Sequence, residues 1–92
     1  MLTPRAQADL DDIWDYTMLR WSTTQAERYI RQLQRGIERV AFDPRLGDVC
    51  DDVRLGYVKY LVGSHIVFFR KTSDGIEVVR ILHASMDFKR HV

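Results

Sequence analysis

Cysteine is almost missing from this 92-residue chain, and Cys50 stands alone. An internal disulfide is therefore excluded, and a reducing cytoplasm is the expected location. Cys50 itself reads as a bystander thiol in a loop. The three histidines, His65, His83 and His91, have no paired spacing, and with a single thiol no zinc site can be written. No metal and no cofactor are expected. Runs of apolar residues fall well short of the roughly 20 needed to cross a bilayer, and no signal peptide opens the chain, so no membrane role is expected. No nucleophile-elbow pattern surrounds Ser64, which reads as a turn residue. Repeats, low-complexity segments and linkers are absent too.

What is present is ordinary globular composition, 46% hydrophobic and 29% charged, enough for one domain over residues 1–92 with one modest core. The net charge of +1 hides an asymmetry. Residues 1–52 carry ten acids against seven bases, and residues 53–92 carry three acids against seven bases. A basic face toward the C-terminus follows, suited to an acidic partner or to nucleic acid.

Thr3-Pro4 predicts a helix start, with a threonine N-cap and proline at the first helical position. Ala6, Leu10, Ile13, Trp14 and Thr17 form its apolar stripe, and it should end between Leu19 and Trp21. Asp9, Asp11, Asp12 and Asp15 fall on its solvent side and suit the helix dipole. Ser22-Thr23-Thr24-Gln25 has the form of a capping box opening a second helix. There Ala26, Tyr29, Ile30, Leu33, Ile37, Val40 and Ala41 share a face, flanked by Arg28, Arg31, Arg35 and Arg39. Asp43-Pro44 stops it, and so short a turn predicts an antiparallel helical hairpin.

Arg45 to Gly56 reads as a loop. Three strands follow: Tyr57 to Val62, His65 to Arg70, and Ile76 to His83, with Gly63-Ser64 as a two-residue hairpin turn. Strict alternation in the last strand sets Ile76, Val78, Arg80 and Leu82 against Glu77, Val79, Ile81 and His83. Neither set is polar, which predicts a central strand or one whose second face a partner covers. Met1-Leu2 reads as a remnant of a further edge strand. The fold class is α+β, a helical hairpin laid on a small antiparallel sheet.

Among chemistries, metal-free RNA cleavage has the most candidates. It needs a base, an acid and cations for developing phosphate charge, and Arg54, Arg70, Arg80 and His83 are what the chain offers. Against it, the tail has Phe88 where an acid–base group would serve. Arg80 reads equally as a strand arginine held by a carboxylate, and His83 as a strand end.

Leu2-Thr3-Pro4-Arg5-Ala6, Asp9-Leu10-Asp11-Asp12-Ile13, Tyr16-Thr17, Trp21 and Gln25-Ala26-Glu27 come first. Pro44-Arg45-Leu46-Gly47, Asp52-Val53-Arg54-Leu55-Gly56-Tyr57, Val62-Gly63-Ser64-His65, Ile81-Leu82-His83 and Met86-Asp87 follow. In this order and spacing they resemble the ParE branch of the ParE/RelE toxins of bacterial toxin–antitoxin systems. That resemblance implies a non-enzymatic toxin that binds DNA gyrase, traps the cleaved DNA complex and is neutralised by a ParD-type antitoxin in a hetero-oligomer. DNA is then met only indirectly, through antitoxin or gyrase. The RelE branch, a ribosome-dependent mRNA endoribonuclease, is the alternative, and an inactive antitoxin-binding relative is a third. Phe88, where RelE-type chains commonly have tyrosine, favours ParE.

Toxicity is expected from Arg80, His83, Met86, Asp87, Phe88, Lys89 and Arg90, and deleting residues 84–92 without unfolding the domain is expected to abolish it while sparing antitoxin binding. The antitoxin is expected to dock in an apolar groove beside the helices, rimmed by arginines. Trp14, Trp21 and Tyr29 would be its anchors, with Arg28, Arg31 and Arg35 beside them.

Overall fold

A computed structural model describes all 92 residues. Helix α1 (Pro4–Arg20) and helix α2 (Thr23–Phe42) lead into strands β1 (Asp48–Val49), β2 (Tyr57–Val62), β3 (His65–Thr72) and β4 (Gly75–His83). Both helices begin as their sequences dictate. The Thr3 hydroxyl accepts from the Ala6 N–H, with Pro4 behind it, and the Ser22 hydroxyl accepts from the Gln25 N–H. Such caps are each worth about 1 kcal/mol. Neither helix is long and apolar enough to cross a membrane.

The sheet is antiparallel in the order β1-β2-β3-β4. One strand lies inside the stretch expected to be loop. β1 has two residues, too few to show a period, and exists because Asp48 and Val49 pair with Lys59 and Val58 of β2. Leu2 adds a parallel bridge to Val78 on the outer side of β4, so the expected edge-strand remnant is there.

Two layers of core enclose the sheet. On the helix side Leu10, Ile13, Leu33 and Val40 meet Val58, Val67, Phe69 and Val78. Leu33, Val40, Val67, Phe69 and Val78 are fully buried, and burying each side chain of this size contributes about 1.5–3 kcal/mol. Helix α2 approaches β2 through Gly36, where an added Cβ would lie 2.5 Å from Val62 Cγ2. On the opposite side Cys50, Phe68, Val79 and Leu82 form a second cluster, covered by Val53, Tyr57, Phe88 and Val92.

That second cluster corrects the reading of β4. It is the last of the four strands, flanked on its outer side only by the Leu2 bridge, and its second face is covered by the chain's own loop and tail. The strict alternation fails as well. Phe69 pairs with Val78 and Phe68 with Arg80, so Val79 is an extra residue, a β-bulge. Its carbonyl accepts from the Thr3 hydroxyl at 3.1 Å. Beyond the bulge the faces exchange: Ile81 joins the helix-side core, while Val79 and Leu82 pack under the tail.

Candidate functional site

The bulge determines where Arg80 points. Its guanidinium leaves the sheet edge toward α1, where Nε and Nη2 donate to the two Asp9 carboxylate oxygens at 2.8 and 2.9 Å. Asp9 also accepts from the Ile81 N–H at 2.9 Å, and Arg80 Nη1 donates to the His91 carbonyl at 2.7 Å. Both side chains are largely buried, 14% and 13% exposed. The bonds from Asp9 hold the Arg80 pKa above its ordinary value, so the guanidinium stays charged at every accessible pH. Asp9 is thus not one more solvated acid of α1. It ties helix, strand and tail together. Asp11, Asp12 and Asp15 do face solvent.

The tail is built onto the sheet. A turn at Phe88–Arg90 lays the Phe88 ring against fully buried Phe68, centroids 5.3 Å apart. Lys59 Nζ lies 5.4 Å from the Phe88 centroid. Deleting residues 84–92 would uncover Phe68 and remove the carbonyl partner of Arg80, so the tail is part of the fold and its deletion does not meet the condition of an intact domain. Of the expected toxicity residues, Met86, Asp87, Lys89 and Arg90 are exposed and Phe88 is not.

Between the end of the tail and the start of α1 opens a cleft of ≈ 340 Å³. Arg5, Arg54, Arg70 and Arg80 line it, with Tyr57 among them and Glu77 the one acidic side chain. Arg54 Cζ lies 5.8 Å from the Tyr57 ring centroid. Arg70 Nε donates to Glu77 at 2.7 Å. The structure therefore gathers Arg54, Arg70 and Arg80 in this cleft without His83, although Arg80 also borders the hollow that His83 lines. His83 pairs with His65 at the far end of β3 and β4, about 17 Å along the strand from Arg70 by the strand rise.

His83 lines a different hollow, ≈ 380 Å³, with Asp12, Tyr16, His65 and Met86, and with the Asp9–Arg80 pair at its border. Its Nδ1 accepts from the Ser85 N–H at 3.1 Å. His65 stacks edge-on to it, centroids 5.2 Å apart. The Ser64 N–H donates to the Tyr29 hydroxyl, which lies 2.5 Å from His65 Nδ1. With Tyr29 donating onward, His65 is the neutral tautomer protonated on Nε2. Burial, reinforced by His83 and only partly opposed by Asp9, lowers the His65 pKa to about 4. Burial also pushes the Cys50 thiol up, the wrong direction for a nucleophile. No three His, Cys, Asp or Glu side chains converge as metal ligands.

The expected antitoxin anchors divide. Trp14 lines a groove of ≈ 490 Å³ between α1 and α2 with Leu2, Leu10, Ile30 and Ile37. Its rim is Gln7, Asp11, Gln34 and Glu38, not arginine, because the α2 arginines lie on the helix's other flank. Arg35 and Arg39 overlook Tyr60 to Gly63 of β2 and its turn, and Arg28 and Arg31 are exposed. Trp21, at the end of α1, is 69% exposed. Tyr29 is spent on bracing the β2–β3 turn.

Residues 1–88 match the model of a family described as the ParE toxin of type II toxin–antitoxin system, parDE. The chain belongs to this ParE toxin family. It is 50% identical over 93 residues to Toxin ParE1 of Mycobacterium tuberculosis (strain ATCC 25618 / H37Rv), covering 100% of this chain and 95% of that one. To Toxin ParE1 of Caulobacter vibrioides it is 44% identical over 91 residues, covering 99% and 94%. To Toxin ParE of Escherichia coli the identity is 33% over 92 residues, covering 95% and 85%. Among solved structures, a chain of the chromosomal ParDE TA system from P. aeruginosa superposes with a TM-score of 0.78 at 19% identity, over 89% of this chain and 90% of that one. At that identity the likeness speaks for the ParE fold alone. Sequence reasoning missed Asp9 and Arg5 as members of the site. A carboxylate three residues after Ala6 and one before Leu10, beside the buried stripe of α1, was the available signal for Asp9.

Proposed function

We propose that this ParE-family chain is a non-enzymatic toxin that binds DNA gyrase and traps its cleaved-DNA state, held in check by a ParD-type antitoxin in a cytoplasmic hetero-oligomer. Residues 1–92 act as one domain in this reading. The observation that carries it, beside family membership, is the division of the would-be nuclease set. Arg54 and Arg70 lie in one cleft and His83 in another, with Arg80, held by Asp9, the one group bordering both, and Glu77 is tied to Arg70. The cations of the first cleft bind phosphate charge, but its only side chains able to move a proton are Glu77, tied to Arg70, and Tyr57, beneath Arg54, with no histidine beside them.

The gyrase-facing surface in this reading is the exposed part of the tail, Met86, Asp87, Lys89 and Arg90, with His83 beside it. Phe88 and Arg80 hold that surface in place from beneath. The antitoxin covers the Trp14 groove and extends to Trp21 and the arginine flank Arg28, Arg31 and Arg35, while Tyr29 shapes the turn beside it. An amphipathic segment folding on binding would fit such a groove.

Inducing the chain in bacteria, with and without its antitoxin, tests this. A DNA-damage response relieved by the antitoxin, with intact transcripts, supports it. Arrest with ribosome-phased mRNA cuts and no damage response would replace it with the ribonuclease reading. Because removing the tail uncovers Phe68, the toxicity residues are tested by Lys89→Ala/Arg90→Ala instead of deletion.

A further inference from the structure

The arginine cleft under the tail has no part in the gyrase contact proposed above, yet it gathers four arginines around one acidic side chain. We propose that it binds the phosphodiester backbone of single-stranded DNA directly, so that this toxin touches DNA itself. The choice of DNA over RNA rests on the gyrase reading, whereas the backbone site does not.

Four arginines face one carboxylate side chain there. Arg70 and Arg80 are each committed to a carboxylate, which leaves Arg5 and Arg54 with no ion pair. Arg5 projects from the first turn of α1, at the positive end of the helix dipole. Arg54 lies over the Tyr57 ring, and an arginine–aromatic pair of this kind offers a base a stacking surface while its neighbours hold the phosphates. A cleft of ≈ 340 Å³ takes one backbone and a base, not the breadth of a duplex. Whole-protein charge cannot supply the attraction, since the net charge is +1. Binding must come from a local patch, and here Tyr57 lies beneath Arg54, which an acidic protein segment, lacking bases, would not use.

The test is fluorescence anisotropy of end-labelled (dT)12 with the full chain, without gyrase, over a series of salt concentrations. R5Q/R54Q should weaken binding at least tenfold at low salt and flatten the salt dependence by about 1.4 in slope, roughly 0.7 per lost phosphate contact on a single strand. R20Q/R39Q, an equal charge change at exposed positions elsewhere, should change affinity less than twofold. Matching thermal melts would show that both variants fold. No binding of (dT)12 at low salt, equal losses in both double variants, or a (U)12 or polyglutamate probe binding tenfold tighter than (dT)12 would overturn the proposal. None of these outcomes depends on whether the toxin poisons gyrase, which is read separately by plasmid cleavage.

Discussion

Replacing Asp9 by alanine should be among the most damaging single changes on the surface of α1. It removes the two carboxylate acceptors of the Arg80 guanidinium and the acceptor of the Ile81 N–H. Because Arg80 is only 14% exposed, water cannot fully replace the lost carboxylate. Breaking a buried pair from one side costs about 3–5 kcal/mol, against about 0–1 kcal/mol for an exposed pair. The remaining bond from Arg80 to the His91 carbonyl and access at the sheet edge place this case near the lower buried figure, about 3 kcal/mol. A domain of this size has roughly 5–14 kcal/mol in total, and each kcal/mol moves Tm by about 4–8 °C. Asp9→Ala should therefore lower Tm by more than about 12 °C, measured by circular dichroism, with a matching fall in the urea midpoint. Arg80→Met in the same background should recover part of the loss, since it removes the stranded charge. A loss below about 0.5 kcal/mol for Asp9→Ala, the size of an exposed ion pair, would refute the reasoning.

Gly36→Ala should destabilise by about 1–2 kcal/mol in a urea melt, although alanine favours helix by about 1 kcal/mol; the new Cβ meets Val62 at 2.5 Å, and a gain in stability would contradict that packing. Phe88→Ala should cost about 2 kcal/mol, roughly half the figure for a fully buried phenylalanine, and should raise hydrogen exchange at Leu82 and His91; an unchanged melt would mean the tail is not docked. For His65 the folded pKa, about 4, lies below the unfolded value of 6.5. The unfolded chain then binds more protons between those values, and stability should be fully present above pH 6.5 and fall as pH drops toward 4. The urea midpoint should decline from pH 7 to pH 5, and His65→Gln should flatten that decline; an equal decline in the variant would place the titration elsewhere.

The helices were legible because Thr3-Pro4, Ser22 and Asp43-Pro44 are local signals that packing does not overrule, and the Gly63-Ser64 turn was legible for the same reason. β1 was not, since two residues show no period. The bulge at Val79 was not either, because an inserted residue leaves the composition of β4 unchanged while exchanging its faces. That single residue also hid most of the site. Arg80 was readable as a strand arginine awaiting a carboxylate, but which carboxylate depended on the bulge and on the docking of α1. The basic character of the C-terminal half was visible in charge counts. The cleft needed Arg5 from the other end of the chain, which no local pattern announces. The arginine flank of α2 was placed correctly on the helix and wrongly on the groove, because periodicity gives a residue's angle around a helix and not the neighbour it meets.

The central claim is gyrase poisoning, and plasmid cleavage tests it most directly. Purified gyrase, ATP, supercoiled plasmid and the toxin are incubated, then quenched with detergent and protease. Linear plasmid should accumulate with toxin and vanish when antitoxin is added first. Plasmid that stays intact and normally supercoiled at toxin concentrations in excess of gyrase would contradict it.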